Sequence, residues 1–112
     1  MSNIIEKYNF AEKFTPYPGP RFKEIGEFSG EEFRETVLKQ YFDKNMPIEL
    51  NVDDVLLSFG PSFLSEAFGQ IAALYGIEKF QKIIKVKNDT EKGKIFEKKM
   101  MEYVLHEIEG KK

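Results

Sequence analysis

The sequence predicts a single α/β domain, built from a mixed sheet of about four strands with three helices packed on it. Two observations lead to this prediction. Apolar positions at helical spacing alternate along the chain with short stretches that favour strands, and such alternation is typical of strands joined by right-handed helical crossovers. The length of 112 residues is that of one domain, so we expect residues 1–112 to form one unit with a frayed tail at 110–112.

The N-terminal quarter of the chain contains two strand candidates separated by a loop. The first is residues 4–10, within an N-terminal edge segment at 1–12, and the second is residues 20–27, where apolar and polar side chains alternate weakly. Between them, residues 15–20 combine proline and glycine in a way that excludes helix and favours an extended or turning loop.

The first helix has a clear start signal. Ser29 followed by Glu32 is a capping box, and Phe28 and Phe33 stand at the two positions of a hydrophobic staple. Apolar side chains then recur at helical spacing at Phe33, Val37, Leu38 and Tyr41. The run at 45–47, which ends in proline, is expected to terminate the helix.

The remaining elements follow from the same patterns. Residues 48–57 are expected to form a buried strand, followed by a turn and a helix that begins at Ser62 as its N-cap and ends before Gly76. The apolar face of that helix consists of Phe63, Leu64, Ala67, Phe68, Ile71, Leu74 and Tyr75. Residues 80–87 are expected to form a further strand, and residues 91–109 the last helix.

Composition excludes several classes of chemistry. Without cysteine the chain cannot form disulfides, Cys-ligated zinc sites or iron–sulfur clusters. Its apolar runs are too short to span a membrane and no signal peptide is visible, so we expect a cytoplasmic protein. The single histidine, His106, is expected to pair with Glu102 on the surface of the last helix rather than to serve a catalytic triad.

No constellation of residues predicts an enzyme, a cofactor or a metal site. Adjacent side chains on a strand point to opposite faces, so Asp53 and Asp54 are poorly placed to bind one ion, and turn formation is the favoured role for them. The stretch Gly60-Pro61-Ser62 lacks the glycine and lysine spacing of a phosphate-binding loop.

Two groups of residues are candidates for binding. The only arginines, Arg21 and Arg34, are suited to bidentate contact with an anion, or they form structural pairs with carboxylates of the fold, namely Glu32, Asp53 or Glu66. Small residues spaced by four, Ser65 and Gly69 among them, would let a partner approach the helix closely, or they pack beneath the chain's own loops. The sequence leaves both choices open.

Charge is distributed unevenly along the chain. Residues 1–77 carry seven basic and twelve acidic side chains, a net charge of −5, whereas residues 78–112 carry ten and seven, a net charge of +3. A solvated, lysine-rich last helix is the favoured interpretation. Weak nucleic-acid binding through this region is an alternative, although the overall charge of −2 argues against it.

Three motifs together resemble the bacterial STAS-like family of uncharacterised function. They are Pro18-Gly19-Pro20-Arg21-Phe22, Phe28-Ser29-Gly30-Glu31-Glu32-Phe33-Arg34-Glu35 and Ser62-Phe63-Leu64-Ser65-Glu66-Ala67-Phe68-Gly69. The resemblance implies the compact α/β fold of the STAS modules found in anti-sigma-factor antagonists. Such modules are not enzymes; they bind partner proteins, often histidine-kinase-like ATPases, and sometimes small ligands.

The resemblance also indicates where a partner would bind. In regulated STAS domains the phosphorylated serine precedes a helix, at the position of the turn 58–62 here. We therefore expect a regulatory protein-interaction module whose binding or switch residues are Ser58, Ser62, Ser65, Glu66 and Gly69. A small-ligand or anion sensor that uses Arg21 and Arg34 is the alternative. The partner, the ligand and the oligomeric state do not follow from the sequence.

Overall fold

The computed structural model describes residues 5–110, which contain a parallel three-stranded sheet. The strands are β1 (Glu6–Asn9), β2 (Ile48–Asn51) and β3 (Ile84–Val86), and they lie in the order β1-β2-β3. In the register of the sheet, Tyr8 is level with Leu50, which is level with Val86. Residues 1–4 and 111–112, which include the expected start of the first strand and part of the expected tail, lie outside the described residues.

Within the described residues, five helices and not the expected three accompany the sheet. They are α1 (Phe10–Lys13); α2, composed of Gly30–Phe33, Arg34–Leu38 and Lys39–Asp43; α3, composed of Pro61–Leu64, Ser65–Gly69 and Gln70–Tyr75; α4 (Ile77–Ile83); and α5 (Glu91–Gly110). The middle stretch of α2 and that of α3 are π-helical: a backbone N–H donates to the carbonyl five residues earlier, as Lys39 does to Arg34 and Gln70 to Ser65. None of the helices within residues 5–110 has the length and apolar character needed to cross a membrane.

The sheet is parallel and not mixed, and it is buried on one face only. Because the strands follow chain order and the crossovers share one hand, the connecting helices lie on the same face. On that face Tyr8, Leu50 and Val86 are buried, whereas Lys7 and Lys85 on the opposite face are exposed. The helices thus bury one apolar face of the sheet and leave the other face polar.

Phenylalanine rings fill the core where α1, α2 and α3 meet. The ring centroid of Phe10 lies 5.0 Å from that of Phe33 and 4.9 Å from that of Phe59. The expected staple between Phe28 and Phe33 takes a modified form, because Phe14 lies between the two rings, with centroids 5.5 and 4.9 Å away. The loop before α2 is therefore joined to the core through α1.

One expected strand, residues 20–27, is wrong, which accounts for the difference between three strands and about four, and the expected strand 80–87 is reduced to β3, Ile84–Val86. Residues 20–27 form a loop because its carbonyls serve the start of α2: Gly30 N–H donates to Pro20 O and Glu31 N–H donates to Arg21 O. In the expected strand 80–87, residues 80–83 belong to α4. Gly76, with a φ of 97°, ends α3 and lets the chain begin this new helix at once.

The expected strand 48–57 ends early, at Asn51. The side chain of Asn51 accepts a hydrogen bond from Asp53 N–H at 2.9 Å, and Val55 N–H donates to Val52 O, so the chain turns where the two aspartates lie. The last helix has nearly the expected bounds, since α5 runs from Glu91 to Gly110.

The two serines expected to cap helices differ in the structure. Ser29 caps α2, because its Oγ accepts a hydrogen bond from Glu32 N–H at 3.0 Å. The carboxylate of Glu32 reaches one residue further than expected and accepts from Phe28 N–H at 2.9 Å. The expectation for Ser62 is wrong: the N-cap of α3 is Gly60, two residues earlier, and Pro61 is the first residue of the helix.

This difference gives a prediction for a matched pair of variants. Ser29→Ala is expected to lower the free energy of unfolding by about 1 kcal/mol or more, because Ser29 is fully buried and its hydroxyl caps α2. Ser62→Ala is expected to change it by less than about 0.5 kcal/mol, because that hydroxyl is exposed and caps nothing. Urea unfolding of the two variants measures both values, and equal losses would contradict the assignment of the caps.

Candidate functional site

The loop that leads from β2 to α3 is held in place through its backbone. Val52 and Val55 are buried, and Leu56 N–H donates to Pro16 O at 2.8 Å. The ammonium group of Lys92, on α5, donates to the carbonyls of Asp53 and Val55. The loop is therefore joined both to the proline-rich segment and to α5.

The side chains at the tip of this loop point away from the core. Leu56 and Leu57 are 68% and 54% exposed, and Ile95 on the adjacent face of α5 is 49% exposed. Together with Phe59 and Phe96 they line a groove of about 160 Å³, which is bordered by Lys92 and Lys99. Adjacent large apolar side chains that remain this exposed are typical of interaction surfaces.

Two of the predicted switch residues are exposed near the start of α3. Ser58 is exposed and belongs to the groove lining, and Ser62 is exposed on the first turn of α3. Among residues 5–110, no side chain or backbone group forms a hydrogen bond with the Ser62 hydroxyl. We call the surface formed by residues 56–59, Ser62 and Ile95 the α3 entrance surface.

The two arginines meet the carboxylate of Glu66. Arg34 Nη1 lies 2.6 Å from Glu66 Oε2 and also donates to the backbone oxygen of Glu66 at 2.7 Å. Arg21 Nε lies 3.7 Å from Glu66 Oε1 and 3.4 Å from the backbone oxygen of Ser62. The structure therefore places both arginines in a structural cluster that joins the proline-rich loop, α2 and α3.

The π-helical stretches coincide with this cluster. Arg34 opens the π stretch of α2 and Glu66 lies in the π stretch of α3, and these two stretches pack against each other. Close approach is possible because Gly30 has no side chain: a Cβ atom there would lie 2.8 Å from Phe63 O. Glu66 is accordingly buried and does not contribute to the exposed surface.

The small-residue stripe on α3 faces the chain's own last helix. Ser65 and Gly69 are buried, and a Cβ atom on Gly69 would lie 2.5 Å from Glu107 Cγ and 3.3 Å from Tyr103 O. The expectation that this stripe meets a partner is therefore wrong, because α5 covers it. Gly69→Arg would have to displace α5, so a loss of binding in that variant would not identify a partner surface.

A network of polar side chains lies at the carboxyl ends of β2 and β3. The carboxylate of Asp53 lies 2.7 Å from Lys87 Nζ and 2.7 Å from Thr90 Oγ1, and Lys87 also lies 2.6 Å from Asp89. These hydrogen bonds lower the pKa of Asp53 and of Asp89 and raise the pKa of Lys87. Ligands of α/β proteins often bind at this edge of the sheet, but here the charged groups satisfy one another.

The neighbouring aspartate belongs to a different contact. Asn9 Nδ2 donates to Asp54 at 3.0 Å, so Asp53 and Asp54 have different partners. Both lie in the turn after β2, the role that the sequence favoured, and not on opposite faces of a strand. No group of three or more potential metal ligands occurs in the stretch from residue 5 to residue 110. His106 is exposed on α5.

Sequence reasoning missed the apolar residues of the α3 entrance surface. Leu56 and Leu57 follow Val55 in an apolar run, which resembles a buried strand. The aspartates that precede the run were the available signal, because they mark the turn that ends β2 at Asn51. The exposure of Ile95 follows only from the way α5 packs.

Comparison with known proteins gives one match. A family model described as a STAS-like domain of unknown function (DUF4325) matches residues 29–94. The matched region runs from the N-cap of α2 to the first turn of α5. It includes Arg34, Glu66, residues 56–59 and Ser62, whereas Arg21 and Ile95 lie outside it. No curated protein and no solved structure gives a significant match.

The Arg34–Glu66 pair generates a prediction about stability. Glu66→Ala is expected to lower the free energy of unfolding by about 3 kcal/mol, because it leaves the partly buried guanidinium without its carboxylate. The double variant Arg34→Met with Glu66→Met is expected to be more stable than Glu66→Ala, because no unpaired charge remains. Urea unfolding measures each variant.

An exposed ion pair provides the control. Lys23 and Glu35 also lie 2.6 Å apart, but both side chains are largely in solvent, so Lys23→Ala is expected to leave the unfolding midpoint unchanged within error. A loss for Lys23→Ala as large as that for Glu66→Ala would refute the structural role of the buried pair.

Proposed function

Because the chain belongs to the family of STAS-like domains of unknown function, we propose that it is a non-enzymatic regulatory module that binds a signalling protein through the α3 entrance surface. The partner class is taken from the STAS modules of anti-sigma-factor antagonists, which the sequence resembles: a histidine-kinase-like ATPase. The observation that carries the proposal is the pair of exposed leucines, Leu56 and Leu57, on a loop whose backbone is fixed.

The energetics of this loop support a docking role. Burial of one leucine side chain contributes about 1.5–3 kcal/mol, and the core of this domain leaves both leucines in solvent. A fixed backbone also lowers the conformational entropy that binding would cost. A partner that covers the groove would therefore gain apolar contact without having to order the loop.

The location of the surface supports the same proposal. It contains Ser58 and Ser62, at the turn where the resemblance places the regulatory serine. With Gly60 as the cap of α3, the hydroxyl of Ser62 has no capping duty. We propose Ser62 as a residue at which added charge changes partner binding.

The arrangement of the arginines favours this proposal over the anion sensor. The Glu66 carboxylate lies 2.6 Å from Arg34 and 3.7 Å from Arg21, so an anion would have to compete with a carboxylate already in place. In the lysine-rich last third of the chain, Lys87 and Lys92 are bound to the Asp53 region, which reduces the charge left for nucleic acid.

The docking proposal predicts different effects for two leucine variants. The partner tested is the histidine-kinase-like ATPase whose gene lies nearest to the gene for this chain. Leu57→Asp is expected to weaken binding to it by at least tenfold, because the change places a charge at the centre of an apolar contact. Leu74→Asp makes the same chemical change at a leucine that is 74% exposed, near the other end of α3. It is expected to bind like the unmodified protein.

Isothermal titration calorimetry with the purified ATPase measures both affinities, and thermal melts establish that both variants fold. Equal affinities of the two variants, or a larger loss of affinity for Leu74→Asp than for Leu57→Asp, would contradict the proposed surface. The absence of measurable binding by the unmodified protein would contradict the proposed partner class.

A second prediction concerns the charge at Ser62. Ser62→Asp is expected to leave the melting temperature unchanged or slightly higher, because an acidic side chain in the first turn of a helix is favourable. The same variant is expected to weaken partner binding, because a negative charge then lies at the docking surface. Ser62→Asn, of similar size and without charge, is the control, and equal weakening by both variants would contradict an effect of charge.

A further inference from the structure

We propose that the outer edge of β3 binds an extended peptide of alternating apolar and acidic residues, which adds to the sheet as a fourth strand. This surface is separate from the α3 entrance surface, and the proposal does not depend on it. It rests on the free backbone groups of β3, on the groove beside them and on the lysines around that groove.

Within residues 5–110, the backbone of β3 has hydrogen-bonding groups without a partner strand. β3 is an edge strand, and Lys87 N–H donates to Leu50 O at 2.8 Å. In a parallel ladder the backbone groups of alternate residues bond to the same neighbouring strand. The N–H and C=O groups of Lys85 and Lys87 therefore face β2, whereas those of Val86 face outward. Ile84 N–H closes the last turn of α4 through Phe80 O, which leaves the Ile84 carbonyl facing outward as well.

A groove of about 340 Å³ runs along this edge, between the end of α4 and one side of α5. Its floor includes Phe80, Val86 and Met100, all buried, with Met101 half-buried beside them, whereas Gln81, Asn88 and Glu97 make part of the lining polar. A strand added to β3 would direct every second side chain toward this floor. Unbranched methionines adapt to different apolar side chains, which suits such a contact.

The remaining side chains of an added strand would lie on the open face of the sheet, next to Lys85. This lysine is exposed, and its ammonium group donates to a backbone oxygen, that of Gln81, and to no carboxylate among the described residues. On α5, Lys94 and Lys98 are exposed as well. Glu97, the acidic residue in the groove lining, accepts a hydrogen bond from Asn88 Nδ2 at 2.9 Å. Acidic side chains are therefore favoured at these positions.

The same charges argue against a second copy of the chain as the occupant. A two-fold pairing of β3 with itself would set Lys85 of each copy opposite Lys87 of the other, and like charges across a ladder are destabilising. Because Lys87 already has Asp53 and Asp89 as partners, Lys85 would gain no carboxylate from such a pairing. Pairing of this lysine-bearing edge strand with a second copy is thus unfavourable, whereas pairing with an acidic strand is favourable. This selects a partner peptide over self-association.

The probe for this proposal is an acetylated, amidated heptapeptide of alternating valine and glutamate, titrated into the ¹⁵N-labelled full chain. We expect amide shifts at residues 85–88 and at Met101, and no binding by the peptide with lysine in place of glutamate. Shifts centred on Leu57 and Ile95 instead, or equal binding by the lysine peptide, would overturn the proposal. No saturable shifts at 1 mM peptide would overturn it as well.

Backbone methylation tests for strand addition itself. In two further peptides the N-methyl groups lie either on the valines or on the glutamates, and we expect one of the two to lose binding and the other to keep it. Loss with methylated valines indicates an antiparallel strand, and loss with methylated glutamates a parallel one. Equal behaviour of the two methylated peptides would overturn the proposal, because only one set of N–H groups faces β3.

A matched pair of protein variants tests the role of charge. Lys85→Glu is expected to weaken binding of the valine–glutamate peptide by about fivefold or more, because an attractive cross-strand neighbour becomes repulsive. Lys44→Glu makes the same change at an exposed lysine beyond the end of α2, and it is expected to leave the affinity unchanged. Equal weakening by the two variants would overturn the assignment to β3, since it would reflect net charge alone.

Discussion

The close packing of α2 on α3 is the constraint from which the position of the proposed docking surface follows. Gly30 allows the backbone of α3 to approach, and Arg34 then reaches both the side chain and the backbone of Glu66. Because Arg21 reaches the same carboxylate and the carbonyl of Ser62, this contact also fixes where α3 starts. The loop before α3 has to end at that point, so the location of its exposed leucines is a consequence of helix packing.

Local signals in the sequence were sufficient for some elements and misleading for others. The capping box at Ser29 and the long apolar periodicity of α5 act over a few turns of one helix, and both elements appear with nearly the expected bounds. Residues 80–87 contain apolar side chains that fit both a strand and a helix. Only Gly76, whose positive φ starts α4 directly after α3, decides between the two.

The candidate site was less accessible to sequence reasoning, for a physical reason. Whether Leu56 is buried depends on Lys92, which lies far along the chain and holds the preceding carbonyls. Whether Gly69 is exposed depends on α5, which covers it. Both outcomes follow from contacts between distant segments, and spacing along one segment carries no information about them. The partner that the sequence did identify, Glu66 for the arginines, was one of several carboxylates considered.

The anchors of the loop before α3 share a property that bears on how such a module can evolve. Lys92 binds carbonyl oxygens, Pro16 accepts from the backbone N–H of Leu56, and Arg21 donates to the carbonyl of Ser62. Because these hydrogen bonds are made to main-chain atoms of the loop, its shape does not depend on which side chains occupy its tip. Mutation can therefore change the chemistry displayed at positions 56–58 while the scaffold stays the same, which allows one fold to acquire new recognition specificities without loss of stability.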